Sequence, residues 1–146
     1  MGAVAVSFVF RENWWLFAPP ERVRDVLVDV ERYPEWWPQV RAVASLGPDR
    51  ARVLCRSTLP YTLDLVLTAR SSDLPVLEVE LDGDLRGSVG WRLTSERGGT
   101  RMELAQEVTV RGRRAVLARL GRPLARWNHA RMMAGCLAGL RQRTSE

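Results

Sequence analysis

Few side chains in this sequence are of a type and placement that could do chemistry inside a folded domain. His129 is the single histidine, with Arg126 and Arg131 close by. A lone imidazole argues against a His-rich metal centre. It leaves two readings open: a rim histidine on a helix, or a pocket histidine that moves a proton or touches a ligand. Arg126 or Arg131 can pair with a carboxylate or enolate of a ligand, or can snorkel to water along its apolar stem. Cys55 and Cys136 are far apart and lack metal-ligand spacing. Cys55 has no histidine near it in sequence, so two reduced, buried thiols are expected rather than a nucleophile. There is no Gly-rich phosphate loop, Ser-His-Asp order or zinc motif. No cofactor and no metal are therefore expected.

The elements that must position these groups are mostly strands. From Val40 to Arg111 apolar and polar residues alternate between turn signals at Gly47-Pro48-Asp49, Ser71-Ser72-Asp73, Asp82-Gly83-Asp84 and Gly98-Gly99. Strands joined by such short turns are antiparallel neighbours, and one apolar face means a sheet covered on one side. Alternation puts Leu65, Leu67, Leu81, Trp91, Leu93 and Leu104 on the covered face. The polar residues of the same parity are few: Cys55, Ser57, Tyr61, Ser95 and Gln106. Gln106 stands out because a buried amide needs hydrogen-bond partners, from the core or from a ligand. Asp64, Glu78, Glu80, Glu103 and Glu107 take the outer parity of solvated charges.

Two other segments complete the frame. Ala3 to Phe17 reads as a first strand with Val4, Val6, Phe8 and Phe10 on one face, and Trp15 and Phe17 on the opposite one. Pro19-Pro20 then opens a short helix whose Val23, Val26, Leu27 and Val30 form an apolar stripe. Tyr33-Pro34 ends it, and a turn bracketed by Pro34 and Pro38 carries Trp36 and Trp37. Of these indoles, one is expected to plug the core and the other to meet a cleft or solvent. Arg113 to Arg143 is the cover, split at Gly121-Arg122-Pro123 into a lead-in and a long helix. Its expected inward stripe is Trp127, Ala130, Met133, Ala134, Leu137 and Leu140. Ala134, Gly135, Ala138 and Gly139 are small enough to leave room over a curved sheet.

Composition narrows the class. At 146 residues, 46% hydrophobic and 27% charged, residues 1–146 are expected to form one globular domain. No apolar run reaches the ~20 residues of a membrane span, and no secretory leader is evident. The net charge of +5 comes from 22 basic residues that are all arginine, with no lysine and no isoleucine. That bias fits a GC-rich, bacterial coding sequence, while the two thiols expected to be reduced fit a cytoplasmic protein. The arginines are dispersed except for Arg111, Arg113, Arg114, Arg119, Arg122 and Arg126, so a solvated face is expected rather than a specific nucleic-acid site. The residues carry no signal of oligomeric state.

A strand, two short helices, six antiparallel strands and a long C-terminal helix make the helix-grip order. Together with Ala18-Pro-Pro-Glu, Val23, Asp25-Val26-Leu27, Asp29 and Tyr33-Pro34-Glu35-Trp36-Trp37-Pro38, that order resembles the SRPBCC, START-like superfamily. This group includes the polyketide cyclase/dehydrase and lipid-transport families. The resemblance implies an α+β helix-grip fold, with a curved antiparallel sheet of about seven strands under the last helix. It also implies a deep apolar pocket between them for a small hydrophobic ligand, with the helix pair at its mouth. Trp36, Trp37, the inward sheet residues and Trp127, Ala130 and Ala134 are the expected ligand contacts. A carrier or binding module is the first expectation. The alternative is a polyketide aromatase/cyclase or dehydratase. There Arg126 or Arg131 and His129 would polarise a carbonyl that Gln106 or Ser57 orients. A third is a protein-interaction role, as in START-like co-chaperones, through exposed Trp15 and Phe17.

Overall fold

The structure, a computed structural model, describes residues 5–111 and 121–145. The lead-in expected around Arg113, Arg114 and Arg119 lies outside the described residues. Seven strands form one antiparallel sheet: β1 (Ala5–Leu16), β2 (Val40–Gly47), β3 (Arg50–Cys55), β4 (Leu63–Ser71), β5 (Val76–Gly83), β6 (Arg86–Glu96) and β7 (Gly99–Arg111). Their order across the sheet is β1-β7-β6-β5-β4-β3-β2. Strands β2 to β7 therefore pair as successive neighbours, as their short turns require. The first strand lies antiparallel to the last, from Ala5 opposite Arg111 to Leu16 opposite Thr100. Register irregularities in β2 and β4 bend the sheet. Gly87, at φ +154°, lets β6 and β7 close up: a Cβ there would lie 1.8 Å from the carbonyl oxygen of Glu107.

Between β1 and β2 the chain makes α1 (Pro20–Val28) and a 3-10 helix (Val30–Glu35). Pro20 starts α1, and the carbonyl of Pro19 accepts from Arg22 N and Val23 N. The buried Thr100 hydroxyl donates to the carbonyl of Ala18 at 2.6 Å, tying this entry to the β6–β7 turn. α1 buries Val23 and Leu27. The long helix α2 (Arg122–Thr144) crosses the covered face of the sheet. The main core gathers Leu16, Leu93, Met102, Trp36, Cys136 and Leu140 between helices and sheet.

Parity in the sheet is as the alternation requires, with Cys55, Leu65, Leu81, Trp91, Leu93 and Leu104 all buried, except at the end of β6, where Ser95, expected inward, is exposed. Tyr61, expected inward, is exposed, because β3 ends at Cys55 and residues 56–62 form a loop. That loop is held by Asn128 of α2, whose side-chain oxygen accepts from Thr58 Oγ1 at 3.0 Å and Leu59 N at 2.9 Å.

The face of α2 is a correction. Trp127 is 48% exposed, and Ala130 and Ala134 are exposed too. The buried side is Met133, Cys136, Gly139, Leu140 and Thr144. Small or apolar residues surround most of this helix, so helical period alone does not select one stripe. Close packing selects it. A Cβ on Gly139 would sit 1.9 Å from the carbonyl oxygen of Trp36, and one on Gly135 would sit 2.0 Å from Oε1 of Gln39. The small residues therefore admit residues 36–39 against the helix instead of leaving empty space.

Candidate functional site

A cavity of about 170 Å³ lies between the sheet, α2 and the 3-10 helix. The sheet supplies its floor through alternating residues: Val53 and Cys55 of β3, Leu65 and Leu67 of β4, and Leu77, Val79 and Leu81 of β5. Val89 and Trp91 of β6 and Leu104 and Gln106 of β7 continue it. α2 contributes His129, Met132 and Met133, one side of the helix at i, i+3 and i+4. Leu27, Val30, Tyr33 and Trp37 close one end.

The indoles divide the two expected tasks by depth. Trp36 is 8% exposed and belongs to the main core, whereas Trp37 is half-buried and lines the cavity. Their rings nevertheless stack, with centroids 5.7 Å apart and planes 21° from parallel. Trp36 ends the 3-10 helix at φ −135° and ψ −12°, where the backbone leaves helical geometry. Trp37 Nε1 donates to the carbonyl of Met132 at 3.0 Å, so this turn is pinned to α2 through one side chain. Tyr33 donates its hydroxyl to the carbonyl of Leu27, and burial pushes its pKa up.

The polar end of the cavity is a pair. His129 Nε2 and Gln106 Oε1 are 2.9 Å apart. The imidazole is stacked on Phe10, with centroids 3.5 Å apart and planes 12° from parallel. Burial, helped by the positive charge of Arg126, lowers its pKa to about 4. The ring is therefore neutral at physiological pH. A neutral ring facing an amide oxygen carries its proton on Nε2 and donates it there. Cys55 is buried, and desolvation raises its thiol to about 11, so it is not a thiolate nucleophile. Cys136 is raised further by burial.

Other expected site residues lie elsewhere. Arg126 is stationed over the rings of Phe8 and Phe10, at 5.8 and 5.5 Å, and does not line the cavity. Arg131 is exposed. Ser57 donates to the carbonyl of Asn128 at 3.1 Å, outside the cavity wall. Leu93 is buried in the core beyond the wall. Trp127, Ala130 and Ala134 face away, as described above. Alternation could have supplied Val53, Val79 and Val89, which share strands and parity with residues singled out from the sequence. Met132 and Asn128 follow only from the correct face of α2.

A wider concavity of about 700 Å³ lies on the outer side of β5 and β6. Arg70 pairs there with Glu80 and Arg86 with Asp82, which leaves Glu78 as the remaining charged side chain on its lining, a lone carboxylate with no second group converging on it. Among the described residues no group of acidic, cysteine or histidine side chains could hold a metal ion. No helix there is long and apolar enough to cross a membrane.

The profile of a family described as polyketide cyclase/dehydrase and lipid transport matches residues 16–144. Among solved structures, a protein of Thermus thermophilus superposes with a TM-score of 0.80 at 20% identity, over 94% of this chain and 97% of that one. The Zhui aromatase/cyclase of Streptomyces sp. R1128 superposes with a TM-score of 0.79 at 14% identity, over 96% and 94%. A START superfamily protein of Mycobacterium smegmatis does so at 0.72 and 15% identity, over 99% and 98%. At these identities the likeness is one of fold. A local match, 36% identical over 64 residues, is to Tubby-like F-box protein 11 of Oryza sativa subsp. japonica. It spans 44% of this chain and 14% of that protein.

Proposed function

This chain belongs to the polyketide cyclase/dehydrase and lipid transport family, and we propose that it is a binding or carrier module for a small hydrophobic molecule held between the sheet and α2. The observation that carries the reading is the character of the cavity wall. Among the described residues it contains no carboxylate and no guanidinium, and its one side-chain polar pair, His129 with Gln106, is uncharged. An ion entering such a space would lose its hydration without a counter-charge. A volume of about 170 Å³ is near the ~150 Å³ of a cavity that takes up benzene, so the enclosed part of the ligand is about one ring in size. Larger ligands would require the Trp37 end to open. A cytoplasmic location is part of the proposal, supported by two buried free thiols.

A polyketide aromatase/cyclase or dehydratase is the second reading, favoured by the position of neutral His129 on the cavity wall. The catalytic set it needs is only partly assembled, since Arg126, Arg131 and Ser57 do not line the space. A protein-interaction role would instead use Phe17, 80% exposed and in ring contact with Trp15. Native mass spectrometry of the purified protein, with extraction of retained molecules, tests the first reading, together with titration by toluene. A retained apolar molecule or saturable toluene uptake is expected. A folded protein that carries nothing and takes up no toluene would overturn it.

A further inference from the structure

Several polar side chains around the cavity already donate to the backbone. Tyr33, Trp37 and Ser71 line the wall, and each gives its proton to a backbone carbonyl, those of Leu27, Met132 and Val76. Gln106 is different. Its amide oxygen is taken by His129 at 2.9 Å. Its same-face neighbours across the ladder are Phe10 on β1 and Val89 on β6, neither of which has a side-chain polar atom. The two ends of a planar amide diverge, so fixing the oxygen fixes where the NH₂ points. The imidazole that fixes it is itself held flat against Phe10. Among the described residues, the Gln106 NH₂ has no hydrogen-bond acceptor.

We propose that Gln106 determines ligand choice in this cavity, its NH₂ donating to a hydrogen-bond acceptor on an uncharged, ring-sized ligand of the aromatic-carbonyl class. His129 is a positioning residue: it holds the amide oxygen and so presents the NH₂. The proposal rests on the binding reading above. A ligand that can only donate would meet the NH₂ donor-to-donor, and a purely apolar one would leave that donor unpaired. A carbonyl oxygen satisfies it without bringing a charge into the apolar wall.

Two probes of equal size separate the alternatives, acetophenone and α-methylstyrene, which differ by a carbonyl oxygen in place of a methylene. Each is titrated by calorimetry into the wild-type protein, Gln106→Leu and His129→Phe, with folding checked by denaturant unfolding. Gln106→Leu is expected to weaken acetophenone about tenfold, the size of one neutral hydrogen bond, and to leave α-methylstyrene unchanged or tighter. His129→Phe keeps a flat ring beside Phe10 but releases the amide. It is expected to weaken acetophenone severalfold with no effect on α-methylstyrene, a split that a merely structural role would not produce. It also serves as the second variant should Gln106→Leu not fold. If both probes bind the wild type and the variants shift them equally or not at all, the role of Gln106 is overturned while the binding reading stands. If neither probe binds the folded wild type, the binding reading falls first and this inference with it.

Discussion

Two glycines one helical turn apart on α2 should respond to the same substitution in opposite directions. Alanine in place of glycine in a helix interior stabilises by roughly 1 kcal/mol through backbone entropy alone. At Gly139 the new Cβ would lie 1.9 Å from the carbonyl oxygen of Trp36, a backbone atom. That peptide is not free to move, because Trp36 N and Trp37 N both bond to the carbonyl of Tyr33 and the Trp36 ring is buried in the main core. Overpacking of this kind costs about 1–3 kcal/mol, and displacing the indole adds to it. A net loss of about 2 kcal/mol is expected for Gly139→Ala. At Gly135 the clash is with Gln39 Oε1 at 2.0 Å, the end of a side chain that can rotate. That oxygen is buried without a hydrogen-bond partner, so moving it toward solvent costs little. Gly135→Ala should therefore gain up to about 1 kcal/mol. Urea unfolding at constant slope reads both, with midpoints separating by ~1 M or more at a slope of about 2 kcal/mol/M. If the two midpoints move together, close approach of residues 36–39 is not what sets the face of α2.

Trp36→Ala should cost about 3–5 kcal/mol as a core truncation. Trp37→Phe, which loses the bond to Met132, should cost about 1 kcal/mol and speed release of bound acetophenone in stopped-flow fluorescence. Equal stability losses with unchanged release would remove the Trp37 turn as the cavity's gate. Because His129 titrates at about 4 in the folded chain and near 6.5 unfolded, its contribution is fully present above pH ~6.5 and is lost as pH falls toward 4. The difference between wild type and His129→Phe in urea stability should reach roughly 3 kcal/mol across that window. A flat difference would mean a charged imidazole is tolerated there. Arginine-mediated binding to DNA, if seen at low salt, should fall steeply with salt and show no sequence preference in electrophoretic shift assays.

The sheet was legible because its signal is binary. On a half-covered antiparallel sheet each residue points in or out, and a slip of one residue would turn Leu65, Leu81, Trp91 and Leu104 to water together. The parity that put Gln106 inward and Glu78, Glu80 and Glu103 outward therefore holds in the folded chain. The start of α1 was legible through proline chemistry, since Pro19-Pro20 opens a helix; its end was not, because α1 stops at Val28 and Tyr33-Pro34, expected to end it, lies inside the 3-10 helix Val30–Glu35. Both kinds of signal are local, requiring only near neighbours in sequence.

The residues that meet across the cavity are fixed by distant packing instead. From Met132 to Leu140 α2 is small or apolar all round, so its rotation over the sheet depends on whether Gly139 can accept the carbonyl of Trp36, a residue far away in the chain. Turning α2 by about one residue step, ~100°, carries Trp127, Ala130 and Ala134 away from the sheet and brings His129 and Cys136 toward it, while Met133 and Leu140 of the expected stripe stay inward. Only with that rotation settled do His129 and Gln106 come within hydrogen-bond reach and the pKa of the imidazole fall. Sequence by itself determined the family, the sheet and the scarcity of inward charge. Tertiary packing decided which face of one helix looks at that sheet, because periodicity cannot choose between faces of similar hydrophobicity, whereas steric exclusion of a Cβ by a backbone oxygen can.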